Sequence, residues 1–452
     1  LQKHKDGERV DFLSAAQKLI GIDTSPEQGN LEAVRFLQGL AEGLGFSTQV
    51  SEDVSGGVSQ ANLFIHPNHN PQKLLLQTHL DTVDPGSFAL WNKTGYNPFQ
   101  ASIRGDKIYG LGAADVKLDF LCKLFAMKRA NWKTLSGSAV LLGTFGEEEH
   151  MRGAIKAVRE RRITPTLALI GEPTDLQIIY AGKGIARLEI IIPFANKNTD
   201  EWADDELTAS TQSKIFQGKA AHSASPETGE NAIVKMLDYL VKLPESIQVL
   251  NVDGGVSFNT IPTQAALEFD LTAQKADALG KQLREIYGAI KSLETDFKKF
   301  VSRDFDPPFS TLNVGSIRTE NDHVRLTGAV RWTSDVPEAV YAQWMGFIAD
   351  TCKRVGAVFR ILDAKKPFST NPQSLFAQDC MKKIRQLGVV AELKTQPVTN
   401  EANVLSRFGF DCIVFGPGHR QYNTHTPEEH VSLKDLKTAE DFYLSMIEKV
   451  CV

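Results

Sequence analysis

Cysteine is scarce in this chain. Cys122, Cys352, Cys380, Cys412 and Cys451 are five among 452 residues, odd in number, widely scattered and never in CxxC spacing. Such usage argues against a disulfide framework and against a cysteine-based zinc site, and a reducing compartment, by default the cytoplasm, fits it best. An excess of basic residues is missing as well: 50 Lys+Arg against 55 Asp+Glu give a formal charge of -5. Too few cations are left to neutralise a phosphate backbone, so nucleic acid is not an expected partner. No apolar run is long enough to cross a bilayer, which argues against a membrane partner, and no fixed-period repeat or low-complexity tract stands out. The opening LQKHKDGERV is charged rather than signal-like, although the numbering begins at Leu1 and a leader removed before it stays open.

What is present is ordinary globular material. Hydrophobic residues make up 42% and charged residues 23%, enough to bury a sizeable interior, and the length favours two domains over one. Helical spacing of apolar residues marks "VDFLSAAQKLI" and "LEAVRFLQGLAEGL" near the start, then 116–130, 152–162, 373–387 and 433–449. Between them lie short apolar runs ending in polar clusters: "KLLLQT" before His79, "SAVLLGTF" before Glu147, "TLALI" before Glu172 and "DCIVF" before GPGH. Apolar on both faces and interleaved with helices, these runs predict an α/β fold with a mostly parallel sheet flanked by helices. From about 183 the pattern changes to long strands such as "GKGIARLEIIIPF" and "HVRLTGAVRWTS" mixed with helices 229–243 and 277–298. An inserted α+β domain is expected over 183–345, splitting the first domain into 1–182 and 346–452. The acidic stretch within 195–213 is expected to be a solvated loop.

Ligands of open α/β sheets bind beyond the carboxyl ends of the strands. There the sequence offers His79, Asp115 in "GLGAADVK", Glu147, Glu148 and Glu149 in "TFGEEEH", Glu172 in "GEPT", and His425 in "NTHTPEEH". Singly each has a bland reading: a hydrogen-bonded loop histidine, a helix N-cap, a solvated surface run, a helix-dipole partner, a turn residue. Jointly, four strand-end loops supply imidazoles and carboxylates to one edge, and a bound divalent cation is the simplest way to tolerate so many acids together.

"HLD" at 79–81, "GLGAADVK", "GEEE", "GEPT" and "NTHTPEEH" together resemble, in order and context, the M20 family of metallohydrolases. The resemblance covers almost the whole chain. It implies a zinc-peptidase-like catalytic domain with an inserted lid or dimerisation domain, and a homodimer formed through that lid. It also implies two divalent ions, zinc first with cobalt or manganese as options: His79, Asp115 and Glu172 on one, Asp115, Glu148 and His425 on the other. The implied activity is hydrolysis of the amide of an N-acyl amino acid, with a dipeptidase or carboxypeptidase as the alternative and a catalytically inactive binding relative as the rival of another class. Asp81 would hydrogen-bond the far ring nitrogen of His79 and Leu80 would point into the core. Alignment through Gly153 gives Glu147 the general-base role and Glu148 the ligand role, the runner-up shifting both by one. In "GKAAHSASPETGENAI" the resemblance makes His222 an oxyanion donor, against a surface histidine in a Ser-rich loop. Asn259 in "GGVSFNTIP" is either a substrate contact or a turn former ahead of Pro262.

Two departures stand out. The family's glycine after the lysine is replaced in "DVKLD", so Leu118 and Asp119 are expected to change local packing without removing Asp115. The family's carboxylate-binding arginine is absent at Thr272, which leaves Arg331 as the candidate replacement, against a plain surface arginine. The stretch 274–310 reads as additional material with no assigned role.

Overall fold

The computed structural model describes residues 11–194, 210–271 and 278–452. The acidic run Asp200, Glu201, Asp204, Asp205 and Glu206, and Thr272, lie outside them. The chain divides into two compact units, one of 1–181, 368–395 and 400–452, the other of 182–367 and 396–399.

In the first unit a nine-stranded sheet forms the centre. Its middle is parallel: Ser138–Thr144, Gln72–His79, Leu167–Gly171 and Asp411–Phe415 lie side by side in that order. The expected parallel sheet is thus four strands wide. Antiparallel strands complete it, Val58–His66 against Ser138–Thr144 and Ile178–Gly182 against Asp411–Phe415. Alternation along each strand divides the core. Leu75, Val140, Leu142, Ala168, Ile170, Cys412 and Val414 cluster with Ala157 and Val158 of helix Arg152–Arg159. On the other parity, Phe415 packs on Phe442 and Tyr443 of helix Leu433–Val450. Both faces are covered, which is why Leu74, Leu75 and Leu76 are all fully buried.

Registers put the carboxyl ends of the four parallel strands at one edge, with His79 opposite Thr144 and Gly171 opposite Phe415. A small three-stranded sheet then fastens two distant loops together. His430–Ser432 pairs with Lys107–Tyr109, bringing the loop after Phe415 beside the loop that carries Asp115.

The second unit is an antiparallel seven-stranded sheet with helices Ala232–Lys242, Ala278–Phe297 and Glu338–Arg354, whose buried residues share one hydrophobic cluster. The sequence reading returned the chain to the first unit after 345. Strand Val358–Lys365 instead pairs antiparallel with Gly184–Pro193, and this keeps 346–367 in the second unit. Within 274–310, the described part is mostly helix Ala278–Phe297, whose apolar face, including Leu283, Ile286, Ile290 and Leu293, packs into that core. No helix among the described residues is long and apolar enough to cross a membrane. All five cysteines are buried and unpaired.

Candidate metal centre

The loops leaving the parallel edge converge. Asp115 is bracketed by two imidazoles, one on each carboxylate oxygen: His79 Nε2 lies 3.3 Å from Oδ1 and His425 Nε2 lies 3.4 Å from Oδ2. Glu148 Oε1 is 3.2 Å from His425 Nε2. Two groups of potential ligand atoms therefore form, Asp115 with Glu148 and His425, and His79 with Glu147 and Glu148. Glu149 is exposed and joins neither, and Glu172 joins neither.

Each position has a local cause. His79 ends its strand one residue before Leu80, whose N–H donates to Thr144 and whose side chain is fully buried. Glu147 and Glu148 occupy a turn closed by Gly146, whose carbonyl accepts from His150 and Met151. Gly153 holds that turn against the sheet. Its N–H donates to Phe145 O at 2.8 Å, and a Cβ there would meet Phe145 N at 2.4 Å. His425 adopts the left-handed region at φ 59°, a conformation uncommon for a residue with a side chain and concentrated at functional sites.

Asp81 differs in detail from the sequence expectation. His79 Nδ1 meets the backbone carbonyl of Asp81 at 3.1 Å, while the carboxylate Oδ1 stands 3.6 Å away. The other carboxylate oxygen accepts from the Glu148 N–H at 3.1 Å. Asp81 therefore orients His79 through its main chain and anchors the glutamate turn through its side chain.

Electrostatics show a site short of positive charge. Burial acts to strip His79 of its proton, but hydrogen bonds to Asp115 and Asp81 outweigh it and hold the imidazole well above its usual range. Attraction to Glu148, with Asp115 behind it, pushes His425 up to about 11. Burial first, then repulsion from Glu172, lifts the Glu147 carboxyl well above the carboxylate range. Acids that keep two imidazoles charged are acids that a divalent cation would neutralise. His79 Nε2 faces Asp115 Oδ1 at 3.3 Å with the side chain 1% exposed, and imidazole nitrogens set among carboxylates are the donor set that zinc takes. The residues fit a metal ion.

Three residues here were missed from sequence. Glu429 accepts from the N–H groups of Ala114 and Asp115 at 2.9 and 3.0 Å and so fixes the Asp115 loop. It lies inside the quoted "NTHTPEEH", which was a signal. Arg420, in the same loop, donates to the Glu172 carboxylate. Glu401, buried behind the strands, accepts from Thr144 Oγ1 at 2.6 Å and from Gln77 Nε2. Beneath the centre, Lys123 donates to Asp119 Oδ2 at 2.6 Å, Thr78 Oγ1 at 2.8 Å and Gln77 O at 2.6 Å. Thr78 and Tyr443 donate to the same Asp119 carboxylate. Asp119, flagged in "DVKLD", is thus half of a buried ion pair next to the strand end that carries His79.

The three remaining candidates belong to the second unit. His222 forms a bridge with Thr260, and Ser223 N–H donates to Asn259 O at 2.7 Å. His222 Nδ1 accepts from the Ala224 N–H at 3.1 Å, which places the ring proton on Nε2. Arg331 is buried and reaches Asn259 Oδ1 at 3.4 Å and Thr399 Oγ1 at 3.2 Å, so it is no plain surface arginine.

Imidazoles and carboxylates gathered at the carboxyl edge of an α/β sheet, with a further carboxylate beside them, define a metal-dependent hydrolase. The particular family follows from comparison. Residues 75–449 match the model of peptidase family M20/M25/M40, and the chain belongs to that family of hydrolases acting on amide bonds. It is 28% identical over 304 residues to an acetylornithine deacetylase of Aliivibrio fischeri (strain ATCC 700601 / ES114), covering 62% of this chain and 71% of that protein. To the acetylornithine deacetylase of Aliivibrio fischeri (strain MJ11) it is 31% identical over 231 residues, 51% of this chain and about half, 53%, of that protein. The crystal structure of aminoacylhistidine dipeptidase from Vibrio alginolyticus shares the fold, with TM-score 0.67 at 16% identity over 97% of this chain and 96% of that one.

Proposed function

We propose that the chain is a zinc-dependent deacylase of N-acyl amino acids. The observation that carries this is the convergence of His79, Asp115, Glu147, Glu148 and His425 in two groups whose ligand atoms lie within 4.8 Å of one another. Asp115, Glu148 and His425 hold the ion, with His79 on the other oxygen of Asp115. When bound, the ion polarises the amide carbonyl and makes water acidic enough to react near neutral pH. Glu147 takes a proton from the attacking water and returns it to the nitrogen as the C–N bond breaks, releasing a carboxylic acid and an amine. His222, with its proton on Nε2, donates to the developing oxyanion. Arg331, held by Asn259, offers the substrate carboxylate its guanidinium fork.

The names of the sequence relatives support the acyl-amino-acid substrate, and the structural neighbour supports a dipeptide. Assaying the chain, before and after chelation, on N-acetyl-ornithine, other N-acetyl and N-succinyl amino acids and dipeptides separates them. Metal-dependent turnover of acyl amino acids is the expected result; hydrolysis of dipeptides alone would replace the deacylase reading. The family resemblance also supports a homodimer through the second unit, which light scattering would report at about twice 49.8 kDa. Cysteine usage supports a cytoplasmic location.

A further inference from the structure

A buried ion pair sits beneath the edge from which the metal-binding loops leave. Asp119 and Lys123, one helical turn apart on Lys117–Arg129, are wholly buried and 2.6 Å from each other. Apolar residues of similar volume often hold a fold at least as well as such a pair, so stability alone does not account for it. Its partners are the ends of strands. Lys123 donates to Gln77 O at 2.6 Å and to Thr78 Oγ1 at 2.8 Å, and Thr78 in turn donates to Asp119 Oδ2 at 2.7 Å. Tyr443 donates to the other Asp119 oxygen and, at 3.0 Å, to Phe415 O, the last carbonyl of Asp411–Phe415. Between these two strands lies Leu167–Gly171, and a Cβ on Gly171 would run into Asp119 Oδ2 and lie 2.6 Å from Lys123 Nζ. The carboxylate thus fills the space that the missing side chain leaves. The pairing of Gln72–His79 with Leu167–Gly171 ends at Gln77 opposite Ile170. Past that rung, Thr78 and Gly171, the residues just before His79 and Glu172, meet through Asp119 and Lys123.

We propose that Asp119, Lys123 and Tyr443 are positioning residues for the metal centre, setting through Thr78 the place from which His79 faces Asp115. The inference rests on the metal-dependent reading above and adds to it residues that touch neither ion nor substrate. Metal sites accept their ligands only within about 0.2 Å of the ideal distances, so a strand end free to shift by more than that loses affinity. His79 is already held on one side, by Asp81 O on its Nδ1 at 3.1 Å and by the bond from Leu80 N–H to Thr144 O. The Asp119 network holds the other side.

Thr78→Val tests this, because it removes the hydroxyl, keeps the shape and leaves Asp119 with Lys123 and Tyr443. The chelated full-length chain is titrated with zinc by competition with a chromophoric chelator; the cobalt absorption spectrum gives a second readout, and urea unfolding of the metal-free chain measures stability. Thr78→Val and Tyr443→Phe should each weaken zinc binding by about 10–100-fold, the range over which partners of ligands tune affinity, and shift the cobalt bands. Thr78→Ser, which restores the hydroxyl, should return both readouts to the wild-type values. Val414→Ala, in the core cluster on the other face of the sheet, should lower stability and leave zinc affinity unchanged. If the network only holds the fold, Thr78→Val and Tyr443→Phe would behave like Val414→Ala, less stable but with wild-type zinc affinity and an unaltered cobalt spectrum. That result would overturn the proposal and leave the metal-dependent reading standing. Binding of no ion by the wild type would sink that reading and the proposal with it.

Discussion

Replacing Lys123 by methionine should destabilise this protein far more than a typical substitution. Lys123 and Asp119 are both wholly buried, one helical turn apart on Lys117–Arg129 and 2.6 Å from each other. All three ammonium protons are used, on Asp119, Thr78 and Gln77. Methionine matches the stem but leaves the Asp119 carboxylate without a counter-charge, supported only by the hydroxyls of Thr78 and Tyr443. Breaking a buried pair from one side costs about 3–5 kcal/mol, because an unpaired buried charge remains. Such a loss is a large fraction of the roughly 5–15 kcal/mol that holds a domain folded.

Adding Asp119→Asn to Lys123→Met removes the stranded charge while keeping an acceptor for the two hydroxyls. The double variant should therefore recover at least half of the loss, and the two substitutions should be strongly non-additive. Denaturant unfolding of the metal-free single and double variants at one pH, followed by far-ultraviolet circular dichroism, measures this. A cost for Lys123→Met below about 1 kcal/mol, or costs that simply add in the double variant, would refute the reasoning.

Other outcomes follow from the same contacts. Burial pushes Glu401 up to about 8 from 4.5, so the folded chain keeps a proton that the unfolded chain has released. That contribution is complete below 4.5 and lost as pH climbs through about 8. The metal-free wild type should lose more stability between roughly pH 5 and 8 than Glu401→Gln; parallel melting curves across that range would contradict it. Gly153→Ala would put a methyl 2.4 Å from Phe145 N, shifting the turn of Glu147 and Glu148, whereas Gly39→Ala meets nothing within 4 Å. The first should cost about 1–3 kcal/mol and lower kcat, and the second should be neutral or stabilising, as melts and kinetics would show. Glu429→Gln should weaken zinc binding by about 10–100-fold with the fold intact, read by chelator competition.

Much of this centre was legible because each strand announces its end. Apolar runs terminating at His79, Glu147 and Glu172 gave the parallel edge, and the strand Asp411–Phe415 appeared with its observed limits. Charge pairing across long separations was not legible. Asp119 stood out as a departure, but its partners include Lys123 on the same helix and Tyr443, 324 residues away. Arg420 is one residue in a loop, and only the return of that loop beside Glu172 shows what it does. The limits of the second unit were misplaced because the strand Val358–Lys365, largely exposed although apolar at Val358, Phe359, Ile361, Leu362 and Ala364, carries little periodicity of its own. It belongs there through its pairing with Gly184–Pro193, which no local pattern encodes.

The most direct test of the central claim compares Glu147→Gln with His425→Ala for zinc content and for turnover of an N-acyl amino acid. Glu147→Gln should retain the wild-type zinc content and lose about 10²–10⁴-fold in kcat, while His425→Ala should lose zinc and activity together. Near-wild-type turnover by Glu147→Gln, or full zinc retention by His425→Ala, would contradict the account.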